Sequence, residues 1–269
     1  MATHWTWIAH SKQDHLLDDT TLDTLGAYLD ETVALDEAVH QLTQRQPQSP
    51  HRTPLTVSTL WGAMLSLAND EPATHKALLE LIKMLLASQA AGMGADVGTT
   101  DAQTDEIGYT WRDVHDYLWA EHAKMQDASD RISRQWINFH AFSAGCVRDA
   151  ILTDLSVIFV LMKDALETQV DASNAVLVSV DVVAASQYLL TAGRVILQHI
   201  QSPDGTSLMR QDSGGELWNG SADVLGRWKF WKNRFEVLHT AETLSEEARE
   251  TAWKAAIAMG KVERQGTRR

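Results

Sequence analysis

The sequence AVLVSVDVVAASQYLLTAGRVILQHI, residues 175–200, decides the fold class. Its first valines alternate with other residues, as they would in a strand. They are Val176, Val178, Val180 and Val182. Further on, Leu189, Ile196 and Leu197 follow at helical spacing with no turn signal between them. A helix that is apolar on most sides is one buried centrally. We therefore predict one long central helix over this segment rather than a strand.

Elsewhere, apolar residues recur every three or four positions, the spacing that builds one apolar helix face. This pattern predicts helices near residues 22–29, 38–42, 60–69, 72–91, 111–125, 131–150, 152–167, 221–239 and 243–259. Residues 92–110 and 201–222 are rich in turn-forming residues and predict two long loops, the first either a lid or a disordered segment. We expect an all-α fold, a single domain over residues 1–269 with roughly eight or nine helices.

Composition excludes several classes of function. The 269 residues carry 36 acidic and 23 basic side chains, a formal net charge of −13, which repels nucleic-acid backbones. No apolar run is long enough for a signal-peptide core, and Asp181 interrupts the longest apolar stretch, so no membrane span is expected. Cys146 is the only cysteine, which agrees with a reducing compartment. We expect a cytoplasmic protein with no nucleic-acid partner. The sequence is compatible with either a monomer or a homodimer.

The motifs of common enzyme chemistries are missing from the sequence. His115 and His122 are seven residues apart, about two helical turns, so they cannot both reach one metal ion. No G-x-S-x-G nucleophile motif and no glycine-rich phosphate loop occurs. Asp18, Asp19 and Asp23 do not have the spacing of a terpene-cyclase magnesium motif, and acids before a helix favour its dipole. We therefore expect no metal site and no cofactor.

Six of the 10 tryptophans lie in a few short segments. These segments are residues 109–119, 136–142, 217–220 and 227–235. In the last one, helical spacing places Trp228, Trp231 and Phe235 on one face, and Arg227 and Arg234 on a neighbouring stripe. Such a face is usually part of a core, with the arginine stems covering it. It is also what the wall of a ligand pocket requires, since ligand sites are mostly apolar and aromatic.

The same segments resemble a fungal family of all-helical proteins known as domain of unknown function 3632. Its members show a tryptophan before an acidic-aromatic segment, then W-x-N-x-x-A-F, then G-x-L-W-x-G, and finally R-W-x-F-W-x-x-R-F. The matching residues are Trp111, Asp113, Trp136, Asn138, Ala141, Phe142, Leu217, Trp218, Gly220 and 227–235. The resemblance extends from about Leu22 to Met259. His140 departs from it, because a second asparagine is expected there. The segment Gly215 to Leu217 lacks the intervening small-polar pattern of some members.

Proteins similar to this family act in fungal natural-product pathways, some guiding hetero-Diels–Alder coupling of a quinone methide with a terpene. The resemblance thus implies a cofactor-free cyclase or pericyclase that binds an apolar small-molecule substrate. A cycloaddition needs alignment of two partners in a shaped apolar cavity and one or two donors to a carbonyl oxygen. We assign the donor role to His140, Asn138 and Arg234. The expected lining of the cavity is aromatic: Trp111, Tyr117, Trp136, Phe142, Trp228 and Trp231.

A second hypothesis needs no catalysis. The acidic surface and the aromatic faces would then belong to a helical scaffold that binds a small molecule or another protein. In that case the polar candidates have structural roles: Asn138 and His140 satisfy buried backbone groups, and Arg234 pairs with a carboxylate. A closed apolar pocket with one or two donors favours the enzyme, whereas a filled core with an exposed aromatic patch favours the scaffold.

Overall fold

A computed structural model describes residues 3–13, 17–43, 57–92, 100–125, 127, 130–211, 214–218 and 223–266, and in these ranges the fold is all-α. They contain 12 α-helices, one short 3₁₀ helix at Pro72–Thr74 and no strand. The helices are α1 Thr3–Gln13, α2 Asp19–Leu29, α3 Leu35–Thr43, α4 Val57–Asp70, α5 His75–Gly92, α6 Thr100–His122, α7 Arg131–Arg148, α8 Ser156–Leu166, α9 Ala175–Ile200, α10 Pro203–Gln211, α11 Val224–His239 and α12 Glu246–Gly266.

The all-α prediction is confirmed, including the helix over Ala175–Ile200, but the count of eight or nine helices is wrong. One unexpected helix is α1, whose Trp5 and Ile8 pack onto α2. The approach is close, because a Cβ on Gly26 would lie 2.6 Å from the Trp5 ring. Packing against a neighbour therefore stabilises a short helix whose own periodicity is weak.

Both predicted loops were too long. The first prediction, 92–110, is wrong from Thr100 onward because α6 begins there, and residues 93–99 lie outside the described residues. Extending a helix costs less than starting one, so α6 continues backward from its apolar turn. In the second, 201–222, Pro203 is the first residue of α10 rather than a loop marker. Ser202 caps this helix, its hydroxyl accepting a hydrogen bond from the Gly205 amide at 3.2 Å.

The sequence predicts a single domain, and the chain's contacts group it into two compact units, Met1–Tyr117 and Leu118–Arg269. In the first unit, α2 packs against α1 and α3, and α5 packs against α3 and α4. Asp18 is the N-cap of α2 and accepts a hydrogen bond from the Thr21 amide at 3.0 Å, the dipole-favouring role expected for this acidic segment. The buried Trp61 indole donates to the carbonyl of Ile107 on α6 at 3.1 Å.

In the second unit, α9 is the central helix. It packs against α7, α8, α10, α11 and α12, and α11 also packs against α12. Because neighbours surround α9, its side chains are buried on several faces, which explains why apolar residues occupy most of its positions. This arrangement brings the inward faces of α7 and α11 into the interior of the unit.

By length and composition alone, α9 would be long enough to cross a membrane. It has 26 residues, and 72% of its most apolar window is buried inside the protein. A helix that packs against five others needs the same apolar composition. Burial within the fold therefore accounts for the apolar character of α9.

Candidate functional site

Packing of α7 against α9 brings a group of polar side chains into the interior of the second unit. One member comes from the last residue of α6, three from α7 and two from α9. We call them the polar core cluster: His122, Trp136, His140, Ser143, Asp181 and Tyr188. Five of the six are buried, and the Asp181 side chain is only 13% exposed. Buried polar groups are almost always hydrogen-bonded, so the mutual geometry of these side chains decides their role.

Asp181 organises one half of the polar core cluster. Its Oδ1 accepts hydrogen bonds from His122 Nε2 at 2.8 Å and from the Trp136 indole at 3.0 Å. The His122 and Trp136 rings stack with their centroids 5.0 Å apart and their planes 11° from parallel. A single carboxylate oxygen therefore fixes the orientation of two rings that also pack against each other.

His140 organises the other half. Its Nδ1 lies 3.0 Å from the Tyr188 hydroxyl in hydrogen-bond contact, and its ring meets Trp136 edge-on with centroids 4.2 Å apart. Tyr188 is also hydrogen-bonded to Ser143. Burial raises the pKa of Tyr188 well above its ordinary value, so the phenol keeps its proton and can donate a hydrogen bond at any physiological pH.

The four residues predicted on α7 separate into two groups. Trp136, His140 and Phe142 are fully buried. The rings of Trp136 and His140 contact each other edge-on, and both residues belong to the polar core cluster. Asn138 is partly exposed. It is two residues from His140, and a helix turns about 200° over two residues, so the two side chains lie on opposite faces. The structure therefore does not bring these two predicted donors together.

Two residues of α11, Arg227 and the predicted Trp231, bind a buried carboxylate that the sequence did not single out. Glu167, directly after α8, is completely buried. Its carboxylate accepts two hydrogen bonds from the Arg227 guanidinium at 2.6 and 2.9 Å, one from the Trp231 indole at 2.7 Å and one from the Gly215 amide at 2.6 Å. We call these four residues the Glu167 clasp. It joins the end of α8, the segment before α11 and α11 itself.

Two adjacent glycines allow the chain to approach Glu167. Gly214 has a φ of +76°, a conformation that other residues adopt only with strain. A Cβ on Gly215 would lie 2.6 Å from the Cβ of Glu167. The Leu217 amide donates to the Glu167 carbonyl at 2.8 Å, which fixes this segment from a second side. Gly220, the last residue of the G-x-L-W-x-G element, lies outside the described residues.

The remaining predicted residues of α11 also bind protein groups. Arg234 donates from Nε to the Leu166 carbonyl at 3.2 Å and from Nη2 to the Thr168 carbonyl at 3.3 Å. These carbonyls lie at the C-terminal end of α8, where a cation is favoured by the helix dipole. The Trp228 indole donates to Glu263 at 3.0 Å. The aromatic and cationic stripes of α11 therefore hold helices together in this structure.

Two predicted lining residues belong to the first unit. Trp111 is buried and stacks on the ring of His115, with centroids 5.4 Å apart. Tyr117 is 63% exposed. The two lie six residues apart on α6, so they occupy different faces of the helix. The other seven predicted site residues belong to the second unit.

Sequence reasoning missed Asp181, Glu167 and Tyr188. A signal existed for Asp181, which is the one acidic residue in the apolar stretch of α9 and was interpreted only as an interruption of a membrane span. An acid inside a buried helix needs a partner, so its presence indicates a polar site. Glu167 had no comparable signal, because its partners lie 48 to 64 residues further along the chain.

The chemistry available at these sites is that of hydrogen-bond donors and acceptors. Within the described ranges, no group of three or more histidine, cysteine or acidic side chains is placed to hold a metal ion. Cys146 is buried, and burial raises the pKa of its thiol, so it behaves as a small apolar side chain rather than a nucleophile.

These observations define an all-helical protein in which aromatic and ionisable side chains form hydrogen-bonded clusters inside the second unit. The chain belongs to the family described as protein of unknown function (DUF3632), whose model matches residues 61–235. The match covers the Trp111, Trp136 and Arg227 to Phe235 elements and is shorter than the extent expected from the resemblance. No curated protein and no solved structure matches the chain.

Two histidines of the first unit make its stability dependent on pH. Burial lowers the pKa of His115 and of His75, in each case more than a hydrogen bond raises it. Below about pH 6.5 the unfolded chain takes up protons that the folded rings resist, so the free energy of unfolding falls with falling pH. Urea unfolding at several pH values between about 5 and 7.5 measures this slope.

The matched variants are His115→Gln and, as a control, His40→Gln at an exposed position. We expect the first to flatten the pH dependence and the second to leave it unchanged. An equal slope in His115→Gln and the wild-type protein would contradict the assignment.

Proposed function

We propose that the protein is a cofactor-independent cyclase or pericyclase, of the hetero-Diels–Alder type, acting in fungal secondary metabolism. The substrates would be an apolar terpene-like partner and a reactive heterodiene. The observation that supports this function best is the contact between His140 and Tyr188, a protonated phenol and an imidazole held among aromatic rings. No metal or redox step is required for a cycloaddition, which depends on alignment of its two partners.

The polar core cluster suits the electronic demand of this reaction. In a hetero-Diels–Alder addition, negative charge develops on the heterodiene oxygen as the two new bonds form. A donor in a low-dielectric environment stabilises that charge more than water does, because the donor is already oriented. Tyr188 is such a donor, since burial keeps it protonated and its neighbours hold it in place. In this proposal Trp136 and Phe142 supply the apolar surface of the site.

The proposed function is tested by profiling products. Deletion of the gene in its host should change the ratio or the stereochemistry of the adducts, and purified protein should restore the original profile. We expect Tyr188→Phe, which removes only the hydroxyl, to slow adduct formation by at least about tenfold. The control is Tyr109→Phe at a position that is 62% exposed, which should retain the full rate. A product distribution that is unchanged by deletion and by added protein would exclude the cyclase.

A second candidate function is a non-catalytic binding scaffold. Tyr109 and Tyr117 are 62% and 63% exposed on α6, and exposed aromatic side chains are enriched at protein interfaces. Two predicted donors, His140 and Arg234, also fit this function, since the hydrogen bonds given above for them are made within the protein. The same product profile discriminates the two candidates, because a scaffold changes neither the rate of the cyclisation nor the stereochemistry of the adducts.

A further inference from the structure

His122 holds one ring nitrogen in a fixed hydrogen bond and leaves the other without one. The residue is 4% exposed, and its Nε2 lies 2.8 Å from Asp181 Oδ1. Its Nδ1 is buried and has no hydrogen-bond partner among the described residues. Buried polar atoms are almost always paired, so an unpaired one requires a functional or structural reason.

The partner of Nε2 determines what Nδ1 can do. An ionised carboxylate only accepts hydrogen bonds, so Nε2 carries the hydrogen in the contact with Asp181. In a neutral imidazole the other nitrogen then has the free lone pair. The hydrogen bond to Asp181 sets which edge of the ring faces the carboxylate, and the ring also stacks on Trp136 at a centroid distance of 5.0 Å. Nδ1 is therefore a fixed hydrogen-bond acceptor that faces away from Asp181.

We propose that His122 is a ligand-binding proton acceptor, with Asp181 as its positioning residue. The ligand would be a neutral, apolar molecule with a weakly acidic hydroxyl group, such as a phenol or an enol. This choice of ligand rests on the proposed function in one respect, that the substrate is an apolar small molecule. The hydroxyl donates to Nδ1. When the proton transfers, the O–H bond breaks, its electron pair stays on oxygen, and an N–H bond forms on His122.

Charge and hydrogen bonding select this class of ligand. The Asp181 carboxylate is hydrogen-bonded to the other nitrogen of the same imidazole, so its negative charge would repel an anionic ligand. A hydroxyl is the donor that an unprotonated nitrogen in an apolar environment needs. After proton transfer the imidazolium would be stabilised by the Asp181 carboxylate, as in other histidine–carboxylate pairs. The Trp136 ring stacks on His122, so the imidazole has aromatic surroundings that suit an apolar ligand.

The first test needs no ligand. Two-bond ¹H–¹⁵N correlation spectra of the full chain report which nitrogen of each histidine carries hydrogen. We expect His122 in the Nε2–H form at neutral pH, and a mixture of the two forms in Asp181→Asn. Control of this ratio by Asp181 is what its positioning role requires, and the role of Nδ1 toward a ligand is left to the second test. A wild-type His122 protonated at Nδ1, or an unchanged ratio in Asp181→Asn, would overturn the proposal.

The second test uses two probes that differ in one group, 2-naphthol and 2-methoxynaphthalene. His122→Gln keeps an amide donor for Asp181 but removes the ring acceptor. We expect it to weaken 2-naphthol binding about tenfold and to leave 2-methoxynaphthalene binding unchanged. The matched control is His239→Gln, at a ring whose Nδ1 is already bonded to the Arg249 carbonyl at 3.0 Å. Equal losses for both probes, or no binding of 2-naphthol to the wild-type protein, would contradict the proposal.

These outcomes separate the proposal from the proposed function. If 2-naphthol binds through His122 while deletion of the gene leaves all products unchanged, the acceptor site is supported and the cyclase function is contradicted. If the cyclase activity is confirmed but His122→Gln retains both its rate and its 2-naphthol affinity, only the acceptor role of His122 is contradicted.

Discussion

Glu167→Gln is expected to destabilise the second unit by about 3–5 kcal/mol. The substitution keeps the shape of the side chain but removes its charge, and it leaves the Arg227 guanidinium, itself 2% exposed, without a buried counter-ion. The new amide also cannot accept every hydrogen bond that the carboxylate accepts from Arg227, Trp231 and Gly215. Urea unfolding followed by tryptophan fluorescence measures the loss.

The chain offers a matched control for this prediction. Glu263 also accepts a hydrogen bond from a tryptophan indole and pairs with a cation, Lys232, but its side chain is 29% exposed. Water can replace the lost interactions there, so Glu263→Gln should cost less than about 1 kcal/mol. Similar losses in the two variants would show that the Glu167 clasp does not behave as a buried ion pair.

The double variant Glu167→Met with Arg227→Met separates charge from packing. Replacing both members of a buried pair by apolar residues is often far less costly than removing one. We expect it to recover much of the stability lost in Glu167→Gln. The amides of Gly215 and Leu217 should nevertheless exchange faster with solvent, because the double variant removes the Gly215 bond to the Glu167 carboxylate.

His140→Ala is expected to lower the free energy of unfolding by about 2–4 kcal/mol. The imidazole is completely buried, contacts the Trp136 and Phe139 rings edge-on, and bonds to the Tyr188 hydroxyl. Alanine would leave a cavity beside both rings and remove a partner of Tyr188. His140→Asn, which restores the asparagine expected from the resemblance, keeps a polar group near the Nδ1 position and should cost about half as much.

The control is Asn138→Ala on the same helix, at a partly exposed position. We expect its cost to stay within about 1 kcal/mol. If His140→Ala proves as stable as Asn138→Ala, the imidazole contributes little to the packing of the polar core cluster, which would contradict the prediction. If His140→Ala is destabilised as expected, part of any activity loss will come from unfolding. The activities of His140→Ala and His140→Asn are therefore compared at equal fractions of folded protein.

Sequence periodicity predicted most helices because each amphipathic face repeats within a single segment. The failures at α1 and α10 have a common cause. In α1 the helix depends on packing of Trp5 and Ile8 against a different helix, and in α10 it depends on a Ser202 cap before Pro203. The start of α6 at Thr100 is a further case, since a helix extends beyond its apolar turn at little cost. Hydrophobic periodicity within one segment does not report tertiary packing, capping or helix extension, so it missed these helical residues.

The candidate site was predicted in part. Trp136 and His140 are four residues apart on one helix, so their proximity follows from sequence spacing, and both belong to the polar core cluster. Their partners on α9, Asp181 and Tyr188, lie 45 and 48 residues away. Arg234 was predicted as a donor to a ligand, and in the structure its guanidinium binds the carbonyls at the end of α8.

The sequence by itself determined that residues 175–200 form a long buried helix, because a continuous apolar pattern at helical spacing is stable only when other elements surround it. It also determined which tryptophans belong to the family elements. Only the tertiary structure decided what the charged residues near them do. A carboxylate is stable inside a protein when donors from distant segments converge on it, and Asp181 and Glu167 acquired such donors only when α6, α7 and α11 packed around them.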